Sequence, residues 1–231
     1  VEAANFPKSY TNDAPYLEGE TLEVAVVSDT NFTGLFQPEF YTSSLDNQFM
    51  QPSHESLFLS DQDFKVTTGG VADLSLDPES NRATIKLKDQ VYWNDGTQLT
   101  VDDLIFSYEV MGHKDYTGVR YDDNLTNIVG MEDYHTGLSE EISGLDKIDS
   151  LTLEISYKEM GPSFQQVGGG VWRSALPKHV LENIPIKEME NALGVTSHVV
   201  SFGPYYMSEI IPGEKVTYLP NPYYWGEKPH L

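Results

Sequence analysis

The chain has 231 residues, 36 of them acidic and 14 basic, giving a net charge of −22, and it contains no cysteine. Such a field makes nucleic acid and anionic lipid surfaces poor partners, and the cysteine count excludes disulfides, thiolate-bound zinc and thiol nucleophiles. Mean hydropathy is −0.39 and no apolar run reaches the length of a membrane span, so the chain can bury a core in one large or two modest domains.

Residues 1–20 mix Pro, Asn, Ser and charge without a period and read as a loose lead-in. The absence of an initial Met and of a basic or apolar leader is what a mature or trimmed chain would show. Thr21–Val27 reads as a strand, followed by a polar loop to Gly34. Asp61–Gly70 reads as a second loop. Val71–Leu76 and Ala83–Lys88 both alternate around Asp77–Asn81, which predicts an antiparallel hairpin. Asn94-Asp95-Gly96 is turn chemistry, and Thr100, with Asp103 three residues on, caps a helix from Val101 to about Met111 that ends near Gly112. Val101, Leu104, Ile105, Tyr108 and Met111 share its apolar face. From His113 to Asp149 the chain is polar, with one short helix around Met131–Gly137. Leu151–Tyr157 alternates as a half-buried strand. A short helix follows Pro162 and breaks at Gly168-Gly169-Gly170. Pro177–Asn183 and Ile186–Leu193 read as helices, the second ended by Gly194 as C′ residue. Tyr205–Ile211 and Lys215–Leu219 form a second hairpin. Short strands and helices without a repeat or low-complexity linker give a mixed α/β chain.

Chemistry is sparsely signalled. His54, His113, His135, His179, His198 and His230 have no metal-ligand spacing. Asp102 and Asp103 point apart on a helix, Asp122-Asp123-Asn124 lacks the EF-hand spacing, and there is no Gly-x-Ser-x-Gly. Neither catalytic residue, metal nor cofactor is expected. Gly168-Gly169-Gly170 lacks a phosphate-loop pattern and is either a flexible turn or a cleft loop. Aromatic residues make up 12%; most serve packing, and some suit a cleft wall.

Several of these segments carry a resemblance. Trp93-Asn94-Asp95-Gly96, Leu99-Thr100, Asp103 and Phe106-Ser107-Tyr108 resemble the W-x-D-G-x-x-L-T-x-x-D-x-x-F-x-Y segment of the bacterial extracellular solute-binding proteins of oligopeptide/dipeptide type, family 5. Glu55-Ser56-Leu57, Gly130 to Tyr134 with Ile142-Ser143-Gly144, Leu176-Pro177-Lys178-His179, Gly203-Pro204-Tyr205 and Asn221-Pro222-Tyr223-Tyr224-Trp225 match the same family in the same order.

The resemblance implies a type II periplasmic-binding-protein-like fold, here most of lobe one plus an extra domain, without the second lobe. It implies a discontinuous first lobe, 21–46 and 162–231, with 47–161 as the inserted domain. It implies a subunit of an ABC importer that captures extracellular oligopeptides through main-chain hydrogen bonds and hinge closure and hands them to permease subunits. Such a protein is a monomer at the outer face of the cell membrane, held by a lipid anchor absent from this sequence, in a Gram-positive cell. Loops at strand ends facing the cleft are then the expected contacts: Ser28, Asp29, Thr30, Asn31 and Phe32; Gly168, Gly169, Gly170, Val171 and Trp172; Phe202 and Gly203. One lobe alone should hold peptides weakly. Two other readings stand beside this one: a secreted acidic hydrolase such as a glycosidase with paired carboxylates, and a peptide-pheromone receptor or adhesin on the same fold.

Overall fold

The computed structural model describes residues 21–193 and 199–229; the lead-in, the C′ position at Gly194, His198 and His230 lie outside them. In chain order the elements are α1 (Ser44–Met50), β1 (Leu59–Ser60), β2 (Val66–Thr67), β3 (Ala72–Asp77), β4 (Arg82–Leu87), α2 (Val101–Gly112), α3 (Asp123–Thr126), α4 (Met131–Thr136), β5 (Leu145–Lys147), β6 (Thr152–Ser156), a 3-10 turn (Pro162–Gln165), α5 (Lys178–Leu181), α6 (Ile186–Leu193), β7 (Tyr205–Ile211) and β8 (Lys215–Pro220).

The main sheet runs β3-β4-β6-β5, every neighbour antiparallel. Alternation fixes which face it buries. On β4, Ala83, Ile85 and Leu87 turn inward, and Ile85 sits in register between Leu74 and Leu153. The predicted hairpin therefore forms as β3–β4, and the second forms as β7–β8, with a register shift between Met207 and Glu209.

Helix α2 lies against the inner side of this sheet. Leu104, Tyr108 and Met111 enter the main core with Trp93, Ile85 and Leu153. The sequence assigned α2 one apolar face; in the structure Phe106 and Val110 are buried as well, in a second cluster with Phe40, Leu176 and Leu181. The helix is wedged between sheet and C-terminal segments, which explains why its pattern is broader than a surface helix needs. Its start is set by the reciprocal cap: the Asp103 carboxylate accepts the Thr100 N–H at 3.0 Å.

A third cluster joins Phe32, Phe36, Leu45 and Met50 to Val199 and to Met207 on β7 of the second hairpin. Helix α1 was not predicted. The Ser43 hydroxyl accepts the Leu45 N–H at its start, and the buried Asp46 accepts the Thr33 and Gly34 N–H groups, which pins the preceding loop. The stretch predicted as loops also hides α3 and β5, each too short to show a period.

Thr21–Val27 is a correction. Among the described residues it pairs with no strand, and Leu22, Val24, Val26 and Val27 are 46–99% exposed. Alternation and β-branching specify an extended backbone; a strand also needs a neighbouring edge, and the described residues offer it none.

Candidate functional site

An open cavity of about 230 Å³ lies where Trp172, packed on the first cluster, faces Tyr41 and Met50 of the third. One wall is the segment leaving α1, with His54, Glu55 and Ser56; another is Trp172, Arg173 and Ser174; Pro38, Tyr41 and Arg120 close a third side.

Local chemistry places each group. Arg120 lies between α2 and α3. Its Nε donates to the Pro38 carbonyl at 3.2 Å and its Nη2 to the Tyr41 carbonyl at 3.1 Å. The guanidinium stacks 4.6 Å from the Tyr41 ring centre and 6.0 Å from that of Trp172, cation–π geometry. Trp172 is held at both ends: its backbone N–H donates to the Tyr108 hydroxyl at 3.1 Å, and its indole Nε1 donates to Glu39 Oε1 at 2.8 Å.

Glu39 is wholly buried behind Trp172, and its second oxygen has no partner among the described residues. Burial pushes its carboxyl up to about 7, against the lowering effect of the indole and of Arg120. His54 is its counterpart. Burial holds its imidazole down at about 4; one ring nitrogen meets the Ser53 hydroxyl at 3.0 Å, and the other is buried without a partner among the described residues. Glu55 accepts the Trp225 indole N–H at 2.9 Å, and burial raises its carboxyl too. The N-P-Y-Y-W segment thus braces the cavity from behind.

The predicted site residues fare unevenly. Trp172 lines the cavity. Gly168 and Gly169 are exposed or nearly so, while Gly170 and Val171 are buried. A Cβ on Gly169 would sit 1.8 Å from the Ser163 carbonyl oxygen, so that glycine serves a close backbone turn that aims Val171 inward and Trp172 at the cavity. Phe202 is buried edge-on against Trp93, ring centres 5.2 Å apart. Gly203 lies directly under the cavity wall: its N–H donates to the Ser53 carbonyl at 3.0 Å, and a Cβ there would meet that oxygen at 2.3 Å. Phe32 is buried in the third cluster. Ser28, Asp29, Thr30 and Asn31 are exposed, and Asn31 lies beside the Gly213 turn of the second hairpin rather than on the cavity. Tyr41, His54, Glu55, Arg120 and Arg173 were missed. Their contributing segments are far apart in sequence, and only the rarity of arginine marks two of them. No group of His, Asp or Glu among the described residues could hold a metal ion.

The described lining combines aromatic residues, two arginines and one carboxylate residue, Glu55, a set that suits a polar, flat group. Residues 68–231 match the family model of the bacterial extracellular solute-binding proteins, family 5. An oligopeptide-binding protein OppA of Lactococcus lactis subsp. lactis is 38% identical over 181 residues, 77% of this chain and 30% of that protein. Its counterpart in L. lactis strain IL1403 is 32% identical across this whole chain, covering 40% of its own length. Lactococcal OppA, solved with an endogenous peptide in a closed conformation, superposes with a TM-score of 0.83 at 34% identity, over 87% of this chain and 39% of that one. AppA of Bacillus subtilis, solved with a nonapeptide, shares the fold at a TM-score of 0.66 and 21% identity, over 87% of this chain and 36% of that one. This chain spans well under half the length of the relatives it matches.

Proposed function

Because the chain belongs to the bacterial extracellular solute-binding proteins of family 5, we propose that it forms one wall of an oligopeptide-binding cleft in the substrate-capturing subunit of an ABC importer. The role is binding, not catalysis. The observation that carries this reading is the cavity around Trp172, built from pinned aromatic and polar groups on a chain 34% identical to a peptide-bound relative. Peptide main chain would lie across Trp172 and the His54–Ser56 segment, with hinge closure completing the contacts and permease subunits receiving the cargo. A lipid anchor at the outer membrane face and a monomeric state belong to the same proposal. So does the division into a lobe of 21–46 and 162–231 with an insert of 47–161; it is supported by a main sheet drawn entirely from residues 72–156 and a second hairpin drawn from 205–220.

The test is an NMR titration of the chain with a mixture of short peptides, following the indole N–H signal of Trp172. A wall open to solvent offers contacts on one side, while the ordering cost of the peptide is still incurred. Saturable shifts of the Trp172 signal with a Kd on the order of millimolar are expected. No shift at tens of millimolar peptide would overturn the reading.

A further inference from the structure

The chain carries three arginines among 36 acidic residues, and two of the three line this one cavity. Resting on the peptide reading above, we infer that the cavity selects peptides that place a carboxylate in it, clamped between Arg120 and Arg173.

The two arginines differ in what they have left to give. Arg120 already serves two backbone carbonyls and two aromatic faces, which fixes its plane. A guanidinium has five N–H donors, so among the described residues three remain unused on a rigidly held group that lines the cavity. Arg173 is exposed, and its side chain has no hydrogen-bond or ion-pair partner among the described residues; what is used is its backbone carbonyl, which accepts the Leu57 N–H at 2.9 Å. The third arginine, Arg82, is spent on an ion pair with Glu154 at 2.7 Å on the main sheet. An unspent guanidinium on so acidic a chain is conspicuous, because 36 carboxylates compete for 14 cations.

The other groups of the wall leave the pair unopposed. Glu55 is turned to the Trp225 indole and the Tyr224 hydroxyl. Glu39 lies behind Trp172 and bonds its indole, and burial disfavours its charge. His54 is held neutral. The remote acids count for less, since at physiological salt a charge is screened within about 8 Å. Planar guanidinium groups match a carboxylate with paired hydrogen bonds, which an amide of the same shape cannot accept. The carboxylate can be a Glu or Asp side chain or the peptide's own C-terminus.

Three peptides separate these cases: acetyl-Ala-Glu-Ala-amide, acetyl-Ala-Gln-Ala-amide, and acetyl-Ala-Gln-Ala with a free C-terminus. Each is titrated at physiological salt, where the remote acids are screened, while the Trp172 indole signal is followed. One or both carboxylate peptides should bind about tenfold more tightly than the neutral one, and which of them does so identifies the source. The preference should shrink at high salt and vanish in Arg173→Gln, while Arg82→Gln, on the far ion pair, keeps it. Equal binding of all three peptides would overturn the inference and leave the peptide reading standing. Equal loss of preference in Arg173→Gln and Arg82→Gln would also overturn it, pointing to general charge. Failure of all three to shift the signal would overturn the peptide reading itself, and the inference with it.

Discussion

Asp103→Ala should lower the free energy of unfolding by about 4 kcal/mol, measured by chemical denaturation. Asp103 is 4% exposed. Its Oδ2 accepts the Thr100 N–H at 3.0 Å and the Trp93 indole N–H at 3.4 Å; its Oδ1 accepts the Lys178 N–H at 3.0 Å. One carboxylate thereby holds together the turn before α2, the first turn of α2 and the first turn of α5. Alanine orphans all three donors, each at a cost of about 1–3 kcal/mol when buried. Relief of the buried carboxylate offsets part of this, because desolvation raises its pKa above the ordinary value. Asp103→Asn should lose less, since one carbonyl oxygen remains while an NH₂ faces donors. A loss under about 1 kcal/mol for the alanine variant would mean that water reaches the vacated donors.

Glu39→Gln should change how stability depends on pH by roughly 3 kcal/mol. The Glu39 pKa is raised from 4.5 to about 7. Between those values the folded state holds a proton that the unfolded state has released, so this group's contribution falls as pH rises and is fully present only below about 4.5. His54 works the other way. Its pKa is lowered from 6.5 to about 4, so the unfolded state takes up the proton first and stability falls as pH drops through that window. The two slopes oppose each other between about pH 4.5 and 6.5. Removing the Glu39 carboxyl leaves the His54 slope exposed. The variant should therefore be more stable than the parent above pH 7 and should converge with it near pH 4.5. The difference between the two proteins isolates Glu39, because the other shifted carboxyls, Glu55 and Asp103 among them, are common to both. Parallel stability curves across pH 4 to 8 would refute the assignment of a raised pKa.

How much of this was legible in the sequence depends on the range of the interaction. The β3–β4 and β7–β8 hairpins were legible because alternation and turn residues act over a few positions. Helix α2 was legible from Thr100, Asp103 and its apolar spacing. Helix α1 was overlooked although Ser43 and Asp46 stand at a capping interval, because Pro and aromatic residues on both sides obscure the period. The cavity could not be read at all from local pattern. Arg120 and Trp172 stand 52 positions apart, and what brings them together is the packing of α2 between two clusters. Family resemblance pointed to a loop whose Trp172 lines the cavity. For Ser28–Asn31 it rested on a strand, Thr21–Val27, that the described residues leave without a neighbour.

That solitary extended stretch has a consequence for how the protein behaves in a test tube. Leu22-Glu23-Val24-Ala25-Val26-Val27 is a six-residue window with one charge, several β-forming side chains and, among the described residues, no strand paired on either side. Such a window is a template for its own copies: two chains meeting there can add strand to strand, and more can follow. The net charge of −22 slows that encounter, so self-association should be held in check at low salt and should emerge as salt screens the repulsion. Light scattering of concentrated samples across a salt series would reveal it, and Val24→Lys, placing an ammonium in the middle of the window, should suppress it. Unchanged scattering in that variant would place the sticky surface elsewhere.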